Sequence, residues 1–320
     1  MFIVINKLKS KGCGIVYISH RMDEFEHIVD RVMVMRDGEY IVTKKFSETS
    51  IPEIISYMVG REIKEKYPRV ECELKDKILE IKDLYSNHKV RNINFELYRG
   101  EILAFAGLMG AGRTETSRAI FGIDSKDSGR IFLEGKEIFI NNPGDAINEG
   151  IVLVPEDRKK DGLCTKLSVK DNIALTNLDD ICNRYGFVNK TKENDMVDET
   201  IKKLDIKVGS SNSNAETLSG GNQQKVVIGK WLTKKSKVVI FDEPTRGVDV
   251  AAKVEIYNLM NKLKKDGIGV IFLSSELPEV LGMSDRVLVM CDGKITKELI
   301  TKDTNQDEII KYATKFEAKV

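Results

Sequence analysis

Apolar residues recur along the chain in alternation and in short runs, and each of these patterns predicts a different kind of strand. Ile78–Leu84 and Asn92–Tyr98 alternate apolar and polar positions, which predicts an antiparallel pair with one buried face. Continuous apolar runs predict buried strands of a largely parallel sheet. These runs are Ile102–Ala106, Ile151–Val154, Val238–Phe241, Gly269–Leu273 and Arg286–Met290.

Helices are expected between several of these strands. Thr114–Phe121 follows the first apolar run with a helical pattern, and a second helix is expected from Ser219 to Trp231. Residues 168–209 are polar and mostly helical in pattern, which predicts an inserted helical subdomain. Together these elements predict an α/β core with an antiparallel β subdomain and a helical subdomain.

Residues 1–60 repeat the pattern of the end of the chain. Asn6–Lys9 predicts a helix, Gly14–Ser19 an apolar strand, and Asp30–Met35 a second strand before a turn at Asp37-Gly38. Several short strings of this region recur 255 positions later. The matched strings are Asn-Lys-Leu-Lys at 6–9 and 261–264, Asp-Arg-Val at 30–32 and 285–287, Asp-Gly at 37–38 and 292–293, and Ile-Ile at 54–55 and 309–310.

One gap-free spacing across the whole region predicts a tandem duplication. We expect residues 1–60 to be the C-terminal remnant of a first copy, most of which has been lost. Residues 61–77 are polar, charge-rich and contain Pro68, which predicts a linker. Residues 78–320 are expected to form a complete second copy.

Composition narrows the possible functions. Among the 320 residues, 51 are Lys or Arg and 50 are Asp or Glu, so the net charge of +1 gives no indication of a nucleic-acid partner. The five cysteines are widely spaced and form no Cys-x-x-Cys pair, which favours free thiols in a reducing cytosol. The apolar runs are too short to span a bilayer, and the first residues lack a signal-peptide pattern. We therefore predict a cytosolic protein that can still bind a membrane surface.

A glycine-rich string follows the first buried strand. Residues 107–114 match the phosphate-binding pattern G-x-x-x-x-G-K-[ST], except that Arg113 stands where lysine belongs. In such a loop, backbone N–H groups surround the phosphates and the hydroxyl of Thr114 binds Mg²⁺. The alternative is an ordinary Gly-rich turn between a strand and a helix. Because a planar guanidinium is no simple replacement for the ammonium of lysine, we expect binding to survive better than catalysis.

Two further strings lie close together, Leu-Ser-Gly-Gly-Asn-Gln-Gln-Lys at 218–225 and Lys-Val-Val-Ile-Phe-Asp-Glu-Pro at 237–244. A helix that begins with two glycines exposes N–H groups to an anion without an intervening Cβ. Ser-Gly-Gly alone would fit an ordinary Ser-capped helix. In the second string, Asp242 and Glu243 end a buried strand, whereas adjacent carboxylates more often lie in a solvated loop.

These two strings resemble the signature motif and the Walker B motif of ABC-type ATPases. Nearly the whole chain is similar to the second nucleotide-binding domain of bacterial ribose/galactose/xylose-type importers, most clearly at Gly107–Glu115, Val154–Lys159, Leu218–Leu232, Phe241–Val250 and Ser274–Val289. The resemblance implies a P-loop NTPase fold of the ABC type that binds ATP and Mg²⁺. It implies nucleotide contacts from Gly107, Gly110, Ala111, Gly112, Arg113, Thr114, Glu115, Asp242, Leu218, Ser219, Gly220, Gly221 and Asp249.

The resemblance also implies individual roles. Asp242 would hold Mg²⁺ through water, and Glu243 would orient the attacking water. Glu156 stands at the position of the Q-loop glutamine, where a carboxylate can coordinate the metal and take part in catalysis. Ser275 stands at the position of the switch histidine but is too short for its work, whereas the first copy keeps His20 there. In the importer family, this combination of Arg, Glu and Ser marks the degenerate domain.

Partners follow from the same resemblance. Each nucleotide would lie between the P-loop of one domain and the signature helix of another, so a complete first nucleotide-binding domain or a second ABC ATPase is expected. The other expected partners are membrane permease subunits and, through them, a sugar-binding protein. These partners imply a position at the cytoplasmic face of the membrane. The leading function is an ATPase that energises monosaccharide import. The alternatives are a nucleoside importer ATPase, a soluble tandem ATPase acting on ribosomes or DNA, and a fragment without turnover.

Overall fold

The computed structural model describes residues 1–18, 24–36, 38–59, 67–73 and 75–316. They fall into two compact units. The small unit consists of Met1–Lys66 with Asp249–Val254, and the large unit of Tyr67–Val248 with Glu255–Val320. Within the described ranges, no helix combines the length and the apolar character that a membrane crossing requires.

The small unit is built around a β-hairpin. Its elements in the first part of the chain are α1 (Phe2–Ser10), α2 (Phe25–Ile28), β1 (Arg31–Arg36), β2 (Glu39–Lys45) and α3 (Ile51–Val59). The side chains of Phe25, Val32, Val34 and Ile54 form its core. The prediction of a strand over Gly14–Ser19 is wrong for positions 14–18, which form no strand. Ser19 and the predicted switch residue His20 lie outside the described residues.

The large unit contains two sheets. Its strands are β3 (Lys77–Ser86), β4 (Val90–Tyr98), β5 (Ile102–Gly107), β6 (Ser128–Leu133), β7 (Lys136–Ile138), β8 (Ile151–Val154), β9 (Val238–Asp242), β10 (Gly269–Leu273), β11 (Arg286–Cys291) and β12 (Lys294–Ile300). One sheet has the order β12-β11-β5-β10-β9-β8 and is parallel except at its edge strand β12. The other, β4-β3-β6-β7, is antiparallel. Side chains from both sheets form one hydrophobic cluster, and the predicted α/β fold is confirmed.

Helices connect these strands and contribute a separate subdomain. The helices after residue 100 are α4 (Arg113–Phe121), α5 (Pro143–Glu149), α6 (Val169–Ala174), α7 (Leu178–Ile181), α8 (Lys190–Leu204), α9 (Gly220–Leu232), α10 (Val250–Lys265), α11 (Leu277–Met283) and α12 (Gln306–Ala313). The polar stretch 168–209 contains α6, α7 and α8, as its pattern predicts. The carboxyl ends of β5, β8, β9 and β10 meet at one edge of the parallel sheet, where ligands of α/β proteins bind.

The end of the predicted linker is attached to the large unit. Side-chain nitrogens of Asn261 and Lys264, both on α10, donate to backbone carbonyls of the segment Tyr67–Val70. Lys264 Nζ also lies 2.7 Å from Asp285 Oδ1, and the lysine side chain is completely buried. The segment 67–70 is therefore held by hydrogen bonds from α10, one of them from a buried lysine that also pairs with Asp285. The division of the chain into copies at residues 60 and 78 stays a prediction.

The hairpins β1–β2 and β11–β12 have the same register at a spacing of 255 residues. Arg31 pairs with Lys45, and Arg286 pairs with Ile300. The register of the first hairpin shifts between positions 34 and 35, and that of the second between 289 and 290. The two repeated sequences therefore form the same local structure, irregularity included.

Candidate functional site

The loop between β5 and α4 has the geometry of a phosphate cradle. Gly110 and Gly112 have φ angles of +79° and +97°, which favour glycine. A Cβ at Gly112 would lie 2.9 Å from the carbonyl oxygen of Lys89, so that no larger residue fits there. Gly112 is also the N-cap of α4, and the neighbouring Met109 is fully exposed at the tip of the loop. The loop thus leads through Gly112 into the N-terminus of a nine-residue helix, and helix N-termini are sites that bind anions.

Other residues of this loop are held by contacts within the large unit. The carbonyl of Ala111 accepts a hydrogen bond of 3.0 Å from the backbone N–H of Gly293. A Cβ at Gly107 would lie 2.5 Å from the carbonyl oxygen of Met290. Glu115, in the first turn of α4, pairs with Lys89 at 3.1 Å. The strand β11 and the β3–β4 turn therefore fix the shape of the loop.

Arg113 turns into the domain and pairs with Glu243. Its Nη2 lies 3.4 Å from Glu243 Oε1, and its Nη1 donates to the carbonyl oxygen of Ser274. The hydroxyl of Ser275 donates to Glu243 Oε2 at 3.1 Å. The side chains of Arg113 and Glu243 are only 12% and 11% exposed, and such partial burial strengthens the attraction between their charges. Both oxygens of Glu243 are therefore engaged by protein partners, which restrain its carboxylate.

Asp242 and Thr114 form a pair of oxygen donors beside the loop. The hydroxyl of Thr114 donates to Asp242 Oδ1 at 3.2 Å. Burial raises the pKa of Asp242 to about 6, although the hydrogen bond from Thr114 opposes this shift. A hydroxyl and a carboxylate side by side are ligands that suit Mg²⁺, which usually keeps further positions for water and phosphate oxygens. This donor set of one hydroxyl and one carboxylate fits the predicted Mg²⁺. Among the described residues, no cluster of three or more His, Cys, Asp or Glu is suited to a metal ion.

Glu156 lies in the loop after β8 and forms an ion pair with Arg246. Two residues later, Arg158 donates to the carbonyl oxygens of Arg246 and Gly247 at 3.0 and 3.3 Å. Two guanidinium groups thus join the loop after β8 to the segment after β9. Arg246 of the segment pairs with Glu156 of the loop, and Arg158 of the loop donates to carbonyls of the segment. The structure pairs Glu156 with Arg246, and its role as a metal ligand stays a prediction.

The signature string begins helix α9. The hydroxyl of Ser219 caps the helix by accepting from the backbone N–H of Asn222, as its position predicts. A Cβ at Gly220 would lie 2.8 Å from Arg158 Nη2 and 3.3 Å from the carbonyl oxygen of Gly247. Leu218 precedes the cap, and Gly221 is buried in the first turn. The structure therefore brings the signature glycines next to the guanidinium of Arg158.

Asp249 has a different position from the other predicted nucleotide contacts. Its carboxylate accepts from the backbone N–H of Ala252 at 2.9 Å, in the first turn of α10. It therefore acts as a helix cap in this structure. Its predicted contact with nucleotide stays a prediction.

Sequence reasoning missed two residues of this region, Arg158 and Glu279. Arg158 belongs to a string that the resemblance singled out, but no pattern indicated its contacts with the signature helix. Glu279 lies on α11, is completely buried, and accepts hydrogen bonds from Thr245 and Ser274. Its only signal in the sequence is the internal repeat, which aligns it with the buried Glu24.

Comparison with known proteins gives consistent results. Residues 90–246 match the ABC transporter family. The chain is 50% identical over 317 residues to a putative ribose/galactose/methyl galactoside import ATP-binding protein of Agrobacterium fabrum, covering 99% of this chain and 63% of that protein. It is 48% identical over 316 residues to a ribose import ATP-binding protein of Clostridium tetani, again covering 99% of this chain and 63% of the relative. The chain thus spans less than two thirds of the length of these relatives.

Solved structures agree on the fold. An ATP-binding cassette of an ABC transporter in its ADP conformation superposes with a TM-score of 0.63 at 22% identity, covering 76% of this chain and 100% of that one. The cbiO1 protein of Clostridium perfringens, part of the ABC transporter complex cbiONQ, gives a TM-score of 0.61 at 25% identity, covering 74% and 93% of the two chains. Residues 90–246 thus form a domain of the ABC transporter family, and this domain includes the loop before α4, the paired Thr114 and Asp242 and the capped helix α9.

Proposed function

We propose that this chain is the ATP-binding subunit of an importer and energises the passage of a monosaccharide of the ribose, galactose or xylose class through a membrane permease. The substrate class is supported by the functions named for the relatives from Agrobacterium fabrum and Clostridium tetani. The proposed roles of the chain's two nucleotide-binding surfaces rest on one contrast. Both oxygens of Glu243 are engaged, whereas the signature helix begins with two glycines beside a guanidinium.

The domain's own nucleotide site would bind Mg·ATP and turn it over slowly. Loop N–H groups and the N-terminus of α4 would hold the phosphates. Thr114 and Asp242 would hold Mg²⁺, which neutralises phosphate charge when it is bound. Asp242 is about half ionised at pH 6 and gains charge as the pH rises, because burial raises its pKa to about 6. Contacts with Arg113 and Ser275 would compete with a water molecule for the carboxylate of Glu243, which supports slow turnover at this site.

The signature helix would serve a nucleotide bound to another domain. Leu218–Gly221 would receive the terminal phosphate of that nucleotide at the N-terminus of α9, and Asp249 would lie at the same domain contact. The partner would be a complete first nucleotide-binding domain or a second ABC ATPase. The competent site would combine the partner's P-loop with this signature helix, so that this chain contributes to hydrolysis even though its own Glu243 is engaged.

The permease would bind the helical subdomain α6–α8 together with the Glu156 loop. Leu175 and Leu178 of this subdomain are 47% and 42% exposed, and Leu167, immediately before it, is 44% exposed, which suits an apolar contact with a partner. A sugar-binding protein would act through the permease, and the subunit would lie at the cytoplasmic face of the membrane. Crosslinks from a permease that fall only on residues 3–57 or 305–312 would contradict this assignment.

Sugar uptake in cells that carry a two-domain protein containing this chain tests the division of labour. Gly220→Asp places a carboxylate where N–H groups must meet a phosphate, and we expect uptake to fall by about 10²–10³. Glu243→Gln changes a carboxylate that is already engaged, so its effect should be much smaller. Gly135→Asp is the matched control, because Gly135 is exposed in the β6–β7 turn, a Cβ there would meet no atom within 4 Å, and aspartate adopts positive φ angles more readily than most residues.

The opposite pattern would overturn the proposal. If Glu243→Gln stops uptake and Gly220→Asp leaves it intact, this domain hydrolyses its own ATP. Turnover by the purified chain gives a second measurement. We expect it to bind Mg·ATP and to hydrolyse it slowly, and a robust rate that Glu243→Gln abolishes would contradict the engaged state of Glu243.

A further inference from the structure

Glu279 is a completely buried carboxylate at the junction of two loops. The hydroxyl of Thr245 donates to both of its oxygens, at 3.0 and 2.8 Å. The hydroxyl of Ser274 donates to Oε2 at 3.0 Å. Thr245 follows β9 and Ser274 follows β10, and the two residues are 2% and 1% exposed. One carboxylate therefore joins the loop that carries Glu243 to the loop that carries Ser275.

The loop after β10 also contacts the phosphate loop. The carbonyl of Ser274 accepts from the guanidinium of Arg113, and its hydroxyl accepts from the backbone N–H of Glu276 at 3.1 Å. Ser275 donates to Glu243 at 3.1 Å. A displacement of Arg113 would therefore act on Ser274 through this hydrogen bond, and Ser274 is bonded directly to Glu279.

The other end of this chain of contacts is the segment after β9. The hydroxyl of Thr245 is bonded to Glu279, and the residues that follow, Arg246 and Gly247, accept from Arg158 through their carbonyl oxygens. A Cβ at Gly220 would touch the same guanidinium and the carbonyl of Gly247. The segment 245–247 thus connects Glu279 to the start of the signature helix.

A buried carboxylate at this position has a cost in stability. Removing a charged carboxylate from water costs several kcal/mol, and apolar residues of similar volume often replace buried ionic groups without loss of stability. The internal repeat nevertheless has a buried glutamate at the matching place, Glu24, which is 6% exposed and accepts from the hydroxyl of Tyr17. A buried carboxylate in both repeats points to a role that an apolar side chain cannot fill.

We propose that Glu279 is a positioning residue that couples the terminal-phosphate end of the nucleotide site to the segment 245–247 and, through it, to the signature helix. A terminal phosphate that enters the site competes with Glu243 for the guanidinium of Arg113. The resulting shift of Ser274 reaches Thr245 through the carboxylate of Glu279. This inference rests on the proposed nucleotide site and specifies how its occupancy reaches the signature helix.

Hydrogen–deuterium exchange of the full chain tests the coupling. The amides of Arg246, Gly247 and Val248 would be followed without ligand, with Mg·ADP, and with the non-hydrolysable triphosphate Mg·AMP-PNP. We expect the triphosphate to change their exchange rates by at least about threefold and the diphosphate to change them less. In Thr245→Val, which removes one arm of the junction, the response to the triphosphate should disappear while nucleotide affinity changes by less than about twofold.

Variants of Glu279 itself separate positioning from folding. Glu279→Met should abolish the exchange response, and Glu279→Gln, which keeps one acceptor oxygen, should restore part of it. Ser284→Ala is the matched control, because its buried hydroxyl is bonded to the carbonyl of Val280 and to Thr301, and neither bond includes Glu279, Thr245 or Ser274. This control should keep the full response.

The outcomes separate this inference from the proposed function. If the chain binds AMP-PNP but Thr245→Val and Glu279→Met keep the wild-type response, Glu279 does not couple the two loops and the proposed function stands. The same holds if bound AMP-PNP leaves the three amides of the wild type unchanged. A chain that binds neither nucleotide in a fluorescence titration would overturn both proposals together.

Discussion

Residues 14–18 and strand β10 have matching positions in the internal repeat but opposite surroundings. Val16 and Ile18 are 91% and 93% exposed, whereas their counterparts Ile271 and Leu273 are only 1% and 0% exposed. In the large unit, β10 lies between the parallel strands β5 and β9. In the small unit, no strand lies beside positions 14–18 among the residues that the structure describes. An apolar run becomes a parallel strand only where distant segments supply its neighbours.

The ion pair shared by the two repeats shows the same contrast. Lys9 lies 2.6 Å from Asp30, and Lys264 lies 2.7 Å from Asp285. The first lysine is 42% exposed, whereas the second is completely buried and also donates to the carbonyl of Val70. The same two residue types therefore form a surface contact in one unit and a buried anchor for the linker in the other.

An aromatic contact differs in its partner. The ring of Tyr257 lies 5.8 Å from that of Tyr67, which belongs to the predicted linker. At the matching place in the small unit, the ring of Phe2 lies 5.6 Å from that of His27. His27 corresponds to Gly282, and a Cβ at Gly282 would collide with Tyr67. In the small unit, His27 packs against the ring of Phe2. In the large unit, the matching position is Gly282, and Tyr67 packs there instead.

Among the matched substitutions in the two repeats, those of the lysines should differ most in their effect on the free energy of unfolding. Lys264→Ala leaves Asp285 without its closest cation and a linker carbonyl without its donor, so we expect a loss of about 3–5 kcal/mol in the free energy of unfolding. Lys9→Ala removes a surface pair and should cost no more than about 1 kcal/mol. Urea unfolding followed by circular dichroism and by the fluorescence of Trp231 measures both. Equal losses in the two variants would show that burial does not distinguish the two ion pairs.

A smaller difference is expected for the apolar runs. Leu273→Ala creates a cavity between two sheets and should cost about 2–5 kcal/mol. Ile18→Ala removes exposed atoms, and its effect should stay within about 0.5 kcal/mol. The same unfolding curves report both changes. A loss above about 2 kcal/mol for Ile18→Ala would mean that this side chain is buried in solution.

The smallest expected effect concerns the linker tyrosine. Gly282→Ala forces Tyr67 to move and should cost about 1–3 kcal/mol. In a Tyr67→Ala background the collision is absent, so the same glycine substitution should then cost less than about 0.5 kcal/mol. A double-mutant cycle measures the difference. Additive losses would show that Tyr67 does not pack against α11 in solution.

Much of the fold was predictable because its signals are local. The buried strands are continuous apolar runs, Ser219 caps α9 through its own next turn, and the glycines at 110 and 112 adopt φ angles that favour glycine. The two hairpins share register and irregularity because cross-strand neighbours within a hairpin are close in sequence. The helix cap, the glycine angles and the hairpin registers need no information from distant parts of the chain, whereas the apolar run at 14–18 shows that a buried strand also needs neighbouring strands.

The state of the site depended on the tertiary structure. The motifs identified Arg113, Glu243 and Ser275 separately, but only the meeting of α4, β9 and β10 at one sheet edge pairs them with one another. The contact of Glu156 with Arg246 and the burial of Glu279 have the same origin, since each joins segments far apart in sequence. Parallel strands bring such segments together without any local pattern, so sequence alone determined which groups are present and the packed sheet decided which of them touch.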